Sequence, residues 1–83
     1  MKIYYVDITW DYGDGIENEV SRDFYENKNL AIQEFKTILE DTTNEWNKTY
    51  KDYNKDISND YFCFYNENYE NRIECCIIEK NVI

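Results

Sequence analysis

The 83-residue chain contains no histidine, and this absence excludes several kinds of chemistry. Serine–histidine and cysteine–histidine nucleophilic pairs need an imidazole as general base, and histidine-containing zinc sites are excluded for the same reason. Gly13 and Gly15 are the only glycines, so there is no glycine-rich loop to hold a phosphate. Paired carboxylates work as acid and base only in a desolvating cleft, which so small a domain rarely encloses. We therefore predict a protein that is not an enzyme and uses no cofactor.

Cysteine is scarce, with Cys63, Cys75 and Cys76 as the only three. An odd number with two adjacent members does not form a disulfide framework, and the spacing lacks the paired thiolates of a zinc site. We predict reduced thiols that pack as small apolar side chains in strands.

No metal-binding loop is complete in the sequence. The segment "DYGDG" at 11–15 lacks the spaced oxygen ligands and the final glutamate of an EF-hand. We predict no metal site, with an adventitious divalent cation among Asp11, Asp14 and Glu17 as the alternative.

Long apolar segments are also missing from the sequence. No run approaches the roughly 18 to 20 residues of a membrane-spanning helix. The chain does not open with a charged segment followed by an apolar block, as a signal peptide does. We expect no membrane partner and a cytoplasmic location.

Acidic residues dominate the charge, with 18 acidic against 9 basic side chains, a net charge of −9 and a pI near 4.3. Phosphate recognition needs clustered lysine and arginine, so direct nucleic-acid binding is not expected and a basic protein partner is favoured. The composition is 42% hydrophobic and 18% aromatic, which is typical of a folded chain. We predict one domain over residues 1–83.

Alternating apolar residues predict a first hairpin from strands at about 3–12 and 16–24, joined by a three-residue loop at 13–15. This register sets Tyr12 opposite Ile16, and in the same way pairs Ile8 with Val20 and Tyr4 with Phe24. The opposite, outward face of the hairpin would then carry the carboxylates of Asp7, Asp11, Glu17, Glu19 and Asp23.

A helix is predicted from Lys28 to about Tyr53, because Asn27 is a good N-cap and apolar residues then recur at threes and fours. Weak helix formers at 41–44 could end or kink it, and 57–60 looks like a connection.

A second hairpin is predicted at 61–80, with a loop at 67–70. Its register places Phe62 and Phe64 across from Cys75 and Ile73. Its reverse face carries an apolar set: Tyr61, Cys63, Tyr65, Cys76 and Ile78. The predicted fold class is therefore α+β, a small antiparallel sheet of two hairpins in the order β-β-α-β-β, with one long amphipathic helix packed on one face.

The acidic hairpin is the candidate partner-binding site. Its predicted members are Asp7, Asp11, Tyr12, Asp14, Glu17, Glu19 and Asp23. Alternate carboxylates on a strand lie about 6.6 to 6.8 Å apart, close to two phosphate steps of about 3.4 Å along one DNA strand. The hairpin could therefore act as a DNA mimic that occupies a basic, nucleic-acid-binding surface. A solvated acidic face that keeps the domain soluble is the alternative.

The chain as a whole resembles small acidic phage-encoded inhibitors of bacterial defence, the anti-CRISPR proteins in particular. It shares with them a short, histidine-free, acidic sequence rich in asparagine, lysine, isoleucine and tyrosine, with "DYGDGIENE" at 11–19 as its most acidic stretch. The resemblance implies a protein that binds a CRISPR effector complex or nuclease and blocks its access to DNA. If the protein is phage-encoded, as the resemblance implies, its location is the cytoplasm of the host cell.

Two other hypotheses remain open from the sequence. A self-associating structural or regulatory module, such as a homodimer, could use the apolar reverse face of the second hairpin. An antitoxin-like or immunity partner would be served equally well by the acidic charge.

Overall fold

A computed structural model describes residues 1–20, 23–66 and 71–82 of the chain. The elements follow in the order β1 Lys2–Asp11, β2 Ile16–Val20, α1 Lys28–Thr49, β3 Asn54–Ile57, β4 Tyr61–Tyr65 and β5 Arg72–Asn81. The strands form one sheet in the spatial order β2-β1-β5-β4-β3, and every neighbouring pair is antiparallel.

The predicted order of two hairpins around a helix is wrong, because the order is β-β-α-β-β-β and strand exceeds helix. The missed strand is β3, which begins just after the predicted helix end at about Tyr53 and includes Ile57 of the predicted connection. All four of its residues are exposed, so β3 lacks the alternating apolar pattern of a half-buried strand. Pairing with β4 is what makes it a strand, with Asn54 opposite Tyr65 and Ile57 opposite Phe62.

The predicted start of the helix is confirmed. Asn27 is the N-cap, and its side-chain oxygen accepts a hydrogen bond from the backbone N–H of Asn29 at 2.9 Å. The helix continues through 41–44 without a break, because Thr42 is buried on its inner face. It ends at Thr49 rather than near Tyr53, and Tyr53 still packs on the core from beyond the helix.

The core lies between α1 and one face of the sheet. Phe35 and Trp46 from the helix are each 1% exposed, and the rings of Phe35 and Phe62 lie 5.6 Å apart. The buried residues that meet them from the strands are Val6, Phe62, Phe64, Ile73 and Cys75. Water is excluded from this helix side of the sheet only where α1 covers it. The other side of the sheet, which we call the open face, does not pack against α1.

The register predicted for the second hairpin is confirmed for its strands. Phe62 pairs with Cys75 and Phe64 with Ile73, so apolar side chains meet on the helix side. The predicted loop at 67–70 lies outside the described residues.

The register predicted for the first hairpin is wrong by one residue. Asp11, rather than Tyr12, pairs with Ile16, so the loop has four residues, 12–15. Gly13 and Gly15 both have positive φ, of 97° and 115°, and the carboxylate of Asp11 accepts a hydrogen bond from the N–H of Gly13 at 2.9 Å. Because side chains alternate with a period of two, this slip moves every β2 side chain to the opposite face.

Candidate protein-binding surface

Two carboxylates of β2, Glu17 and Glu19, lie on the helix side of the sheet. They pair with Trp10 and Ile8 of β1, whose side chains point toward the core. Both carboxylates are exposed, because β2 is an edge strand outside the part of the sheet that α1 covers. The prediction that they share a face with Asp7 and Asp11 is therefore wrong.

Asp7 and Asp11 lie on the open face. The carboxylate of Asp7 accepts a hydrogen bond from the side-chain amide of Asn18 at 2.5 Å, and that amide also lies 3.0 Å from the hydroxyl of Thr9. The carboxylate of Asp11 stabilises the turn by accepting the hydrogen bond from the backbone N–H of Gly13. These two carboxylates are thus engaged in holding the hairpin together.

The remaining predicted site residues are spread around the hairpin. Asp14 is exposed in the turn, and Asp23 is exposed beyond β2. Tyr12 lies on the helix side, with its ring 6.5 Å from that of Trp46. The seven predicted residues therefore do not form one surface.

A second row of carboxylates lies on α1. Glu34, Asp41 and Glu45 are seven and four residues apart, which puts them within about 40° of one another around the helix axis. Asp41 and Glu45 are exposed, and Glu34 is half-buried. This i, i+7, i+11 spacing is visible in the sequence, but which way the row faces depends on how the helix packs.

Two tyrosines show that this row faces the β2 edge. Tyr25 pairs with Tyr4 of β1, on the same edge of β1 that pairs with β2. The hydroxyl of Tyr25 lies 3.4 Å from the carboxylate of Glu34. At the other end of α1, Glu45 lines a cavity together with Tyr12 from the β1–β2 turn. We call Glu17, Glu19, Glu34, Asp41 and Glu45 the acidic surface.

The acidic surface forms no ion pair with a described residue, although the basic side chain of Lys48 follows one helical turn after Glu45. Within residues 1–20, 23–66 and 71–82 the ion pairs are Lys2 with Glu79 and Arg72 with Glu74, and neither involves the acidic surface. Burial raises the pKa of Tyr25, and the carboxylates of Glu34 and Asp23 raise it further. Burial and these two carboxylates therefore both favour the neutral form of Tyr25.

The open face carries the apolar set predicted for the reverse of the second hairpin, but in a different environment. Cys63 is only 5% exposed. Around it, the hydroxyl of Tyr61 donates to Glu74 at 2.9 Å, and the guanidinium of Arg72 bonds the same carboxylate oxygen. This network covers the centre of the face and raises the pKa of Tyr61, chiefly through burial and through the Glu74 hydrogen bond.

Exposed apolar side chains on the open face instead gather at its β2 end. Ile16 is 77%, Val20 45% and Phe24 58% exposed, and Phe24 contacts the ring of Tyr5 at 5.3 Å. A cavity of about 290 Å³ adjoins Ile16, between Asp11 and Arg72.

The cysteines are free thiols. Burial raises the pKa of Cys75 to about 12 and also raises that of Cys76, so both are poor nucleophiles near neutral pH. Over the described ranges, no three histidine, cysteine or acidic side chains come together as metal ligands would. The one helix of the described chain is too polar to cross a membrane.

Comparisons with known proteins identify no relative. No protein-family model, curated protein or solved structure matches the chain.

Proposed function

We propose that the protein is a non-enzymatic inhibitor that binds a basic, nucleic-acid-binding surface of a partner protein. The observation that carries this proposal is the acidic surface, whose strand and helix rows line the same edge of the sheet with no ion pair among the described residues. Unpaired surface charge of one sign steers an oppositely charged partner and raises its association rate.

The spacing of the carboxylates suits a surface that normally holds nucleic acid. Glu17 and Glu19 are two strand residues apart, about 6.6 to 6.8 Å, and Asp41 and Glu45 are four helical residues apart, about 6 Å. Both spacings are close to two phosphate steps along a DNA strand, about 6.8 Å. DNA mimicry is thus proposed for two short rows, in place of the single row expected from the sequence.

The class of partner comes from the resemblance to anti-CRISPR proteins. A CRISPR effector complex or nuclease has a basic channel for nucleic acid, to which the acidic surface is complementary. In this proposal the protein binds the effector in the cytoplasm and blocks its access to DNA, without binding nucleic acid itself.

The test compares two double variants that change the net charge equally, from −9 to −5. Glu17→Lys with Glu19→Lys reverses the β2 pair. Glu40→Lys with Asp56→Lys reverses two exposed acids outside the acidic surface. The tagged proteins are used to capture partners from the lysate of a low-GC bacterium that carries CRISPR systems, with washes at low and then high salt.

The expected result is a nucleic-acid-binding effector that elutes at high salt and that DNA displaces. The variant with Glu17→Lys and Glu19→Lys should associate with the effector more slowly than the wild type, by about tenfold or more, and the control variant should have an association rate closer to that of the wild type. Equal association of both variants, or a partner that DNA does not displace, would contradict the proposal.

A second candidate, self-association through the open face, is favoured by the exposed Ile16, Val20 and Phe24. Size-exclusion chromatography with mass measurement tests it. A dimer that Phe24→Ser dissociates would support this candidate, and a monomer at all concentrations would exclude it.

A further inference from the structure

A small cavity lies where the β1–β2 turn meets the end of α1. Its volume is about 180 Å³, and its lining residues are Tyr12, Glu45, Trp46, Thr49 and Tyr50. Tyr12 comes from the turn, and the other four come from the last turns and the C-cap of the helix. The cavity therefore lies at one end of the acidic surface, beside Glu45.

The walls of the cavity are largely aromatic. The ring of Trp46 lies 4.5 Å from that of Tyr50 and 6.5 Å from that of Tyr12. Trp46 is 1% exposed and Tyr12 is 42% exposed, so the indole closes the inner end and the Tyr12 ring is accessible at the mouth. The faces of such rings carry negative potential, which attracts organic cations.

The charge around the cavity is also negative. The Glu45 carboxylate is exposed and has no ion pair with any described residue. Lys48 lies one helical turn further along and does not line the cavity. Burial raises the pKa of Tyr12, and Tyr50 and Glu45 raise it further, while a hydrogen bond with Trp46 lowers it.

We propose that this cavity binds the guanidinium group of an arginine side chain presented by the partner protein. A guanidinium can stack on a tyrosine ring while its N–H groups, which lie in the guanidinium plane, donate to the Glu45 carboxylate. An apolar ligand would instead desolvate Glu45 without a compensating hydrogen bond. The inference deepens the proposed function and rests on it for the identity of the partner as a basic protein.

The test uses the intact protein and a small probe, so it does not require the partner. The isotope-labelled chain is titrated with Nα-acetyl-arginine methylamide, and the two indole N–H signals are followed by NMR. Trp46 reports on the cavity, and Trp10, which does not line it, is the internal control. The matched probe is the citrulline analogue, which has nearly the same shape and no charge, and the lysine analogue tests for an ammonium.

We expect the Trp46 signal to shift and saturate with the arginine probe, while the citrulline probe and the Trp10 signal show little change. Glu45→Gln should weaken binding of the arginine probe by about two- to fivefold, as expected for one exposed charge pair. Glu40→Gln, which removes an exposed helical carboxylate outside the cavity, should leave it unchanged.

The proposal is overturned if Trp46 does not respond, if citrulline binds as well as arginine, if lysine binds better, or if Glu45→Gln has no effect. A response at Trp10 alone would also overturn it, since it would place the cation in the cavity beside Asp11. Absence of arginine binding at the cavity would not affect the expected result of the charge reversal at Glu17 and Glu19. Loss of that result, with a normal Trp46 response, would contradict the proposed function and not the cation site.

Discussion

Replacing Phe35 with alanine is expected to lower the free energy of unfolding by about 3 to 5 kcal/mol. Phe35 is 1% exposed and packs on Phe62 with a ring separation of 5.6 Å, so the substitution removes a fully buried ring and leaves a cavity between α1 and the sheet. A domain of this size has about 5 to 15 kcal/mol of stability in total. At about 4 to 8 °C per kcal/mol, the Tm should fall by about 12 to 40 °C.

The matched control is Phe24→Ala. Phe24 is 58% exposed, and its ring contact is with Tyr5 on the open face, so we expect a loss of no more than about 1 kcal/mol. The alternation of the sequence predicts a different outcome, because it places Phe24 opposite Tyr4 on the helix side. The two substitutions thus distinguish the observed register of the first hairpin from the expected one.

Urea unfolding followed by circular dichroism and by tryptophan fluorescence measures both losses. Agreement of the two signals is needed for a two-state free energy. Losses of similar size for Phe35→Ala and Phe24→Ala would refute the packing described above, as would a Phe35→Ala protein of nearly wild-type stability.

Two further predictions concern pH and the helix start. Burial raises the pKa of Cys75 from 9.0 to about 12, so between these pH values the unfolded chain loses a proton that the native chain keeps. The free energy of unfolding should therefore fall as pH rises above about 9, by up to about 1.4 kcal/mol per pH unit. Urea unfolding at a series of pH values measures this slope, and Cys75→Ala should flatten it. An unchanged slope in the variant would contradict the raised pKa of Cys75. Asn27→Ala should cost about 1 kcal/mol in thermal unfolding by removing the N-cap bond, whereas Asn29→Ala keeps the backbone donor of that bond and should cost little; equal losses would contradict the cap.

Some of the candidate site could be predicted from the sequence. The charge imbalance and the exposure of Glu17 and Glu19 both follow from local composition and alternation. Their face could not be predicted, because a single extra loop residue reverses it and the pattern of β1 and β2 allowed either loop. The contribution of Glu34, Asp41 and Glu45 was missed because a helical row becomes a surface only when packing sets its direction.

Local interactions determined the features that the sequence alone predicts correctly. An N-cap side chain and a 3.6-residue apolar period specify α1 from Asn27 onward. The pairing of Phe62 and Phe64 with Cys75 and Ile73 follows from two apolar strands that are close in the chain. Tertiary structure decided the rest. β3 forms a strand because it pairs with the edge of β4. The acids of the first hairpin lie on two faces because the four-residue turn sets a register that does not pair apolar residues with apolar residues. Neither outcome can be predicted from one short segment of the sequence.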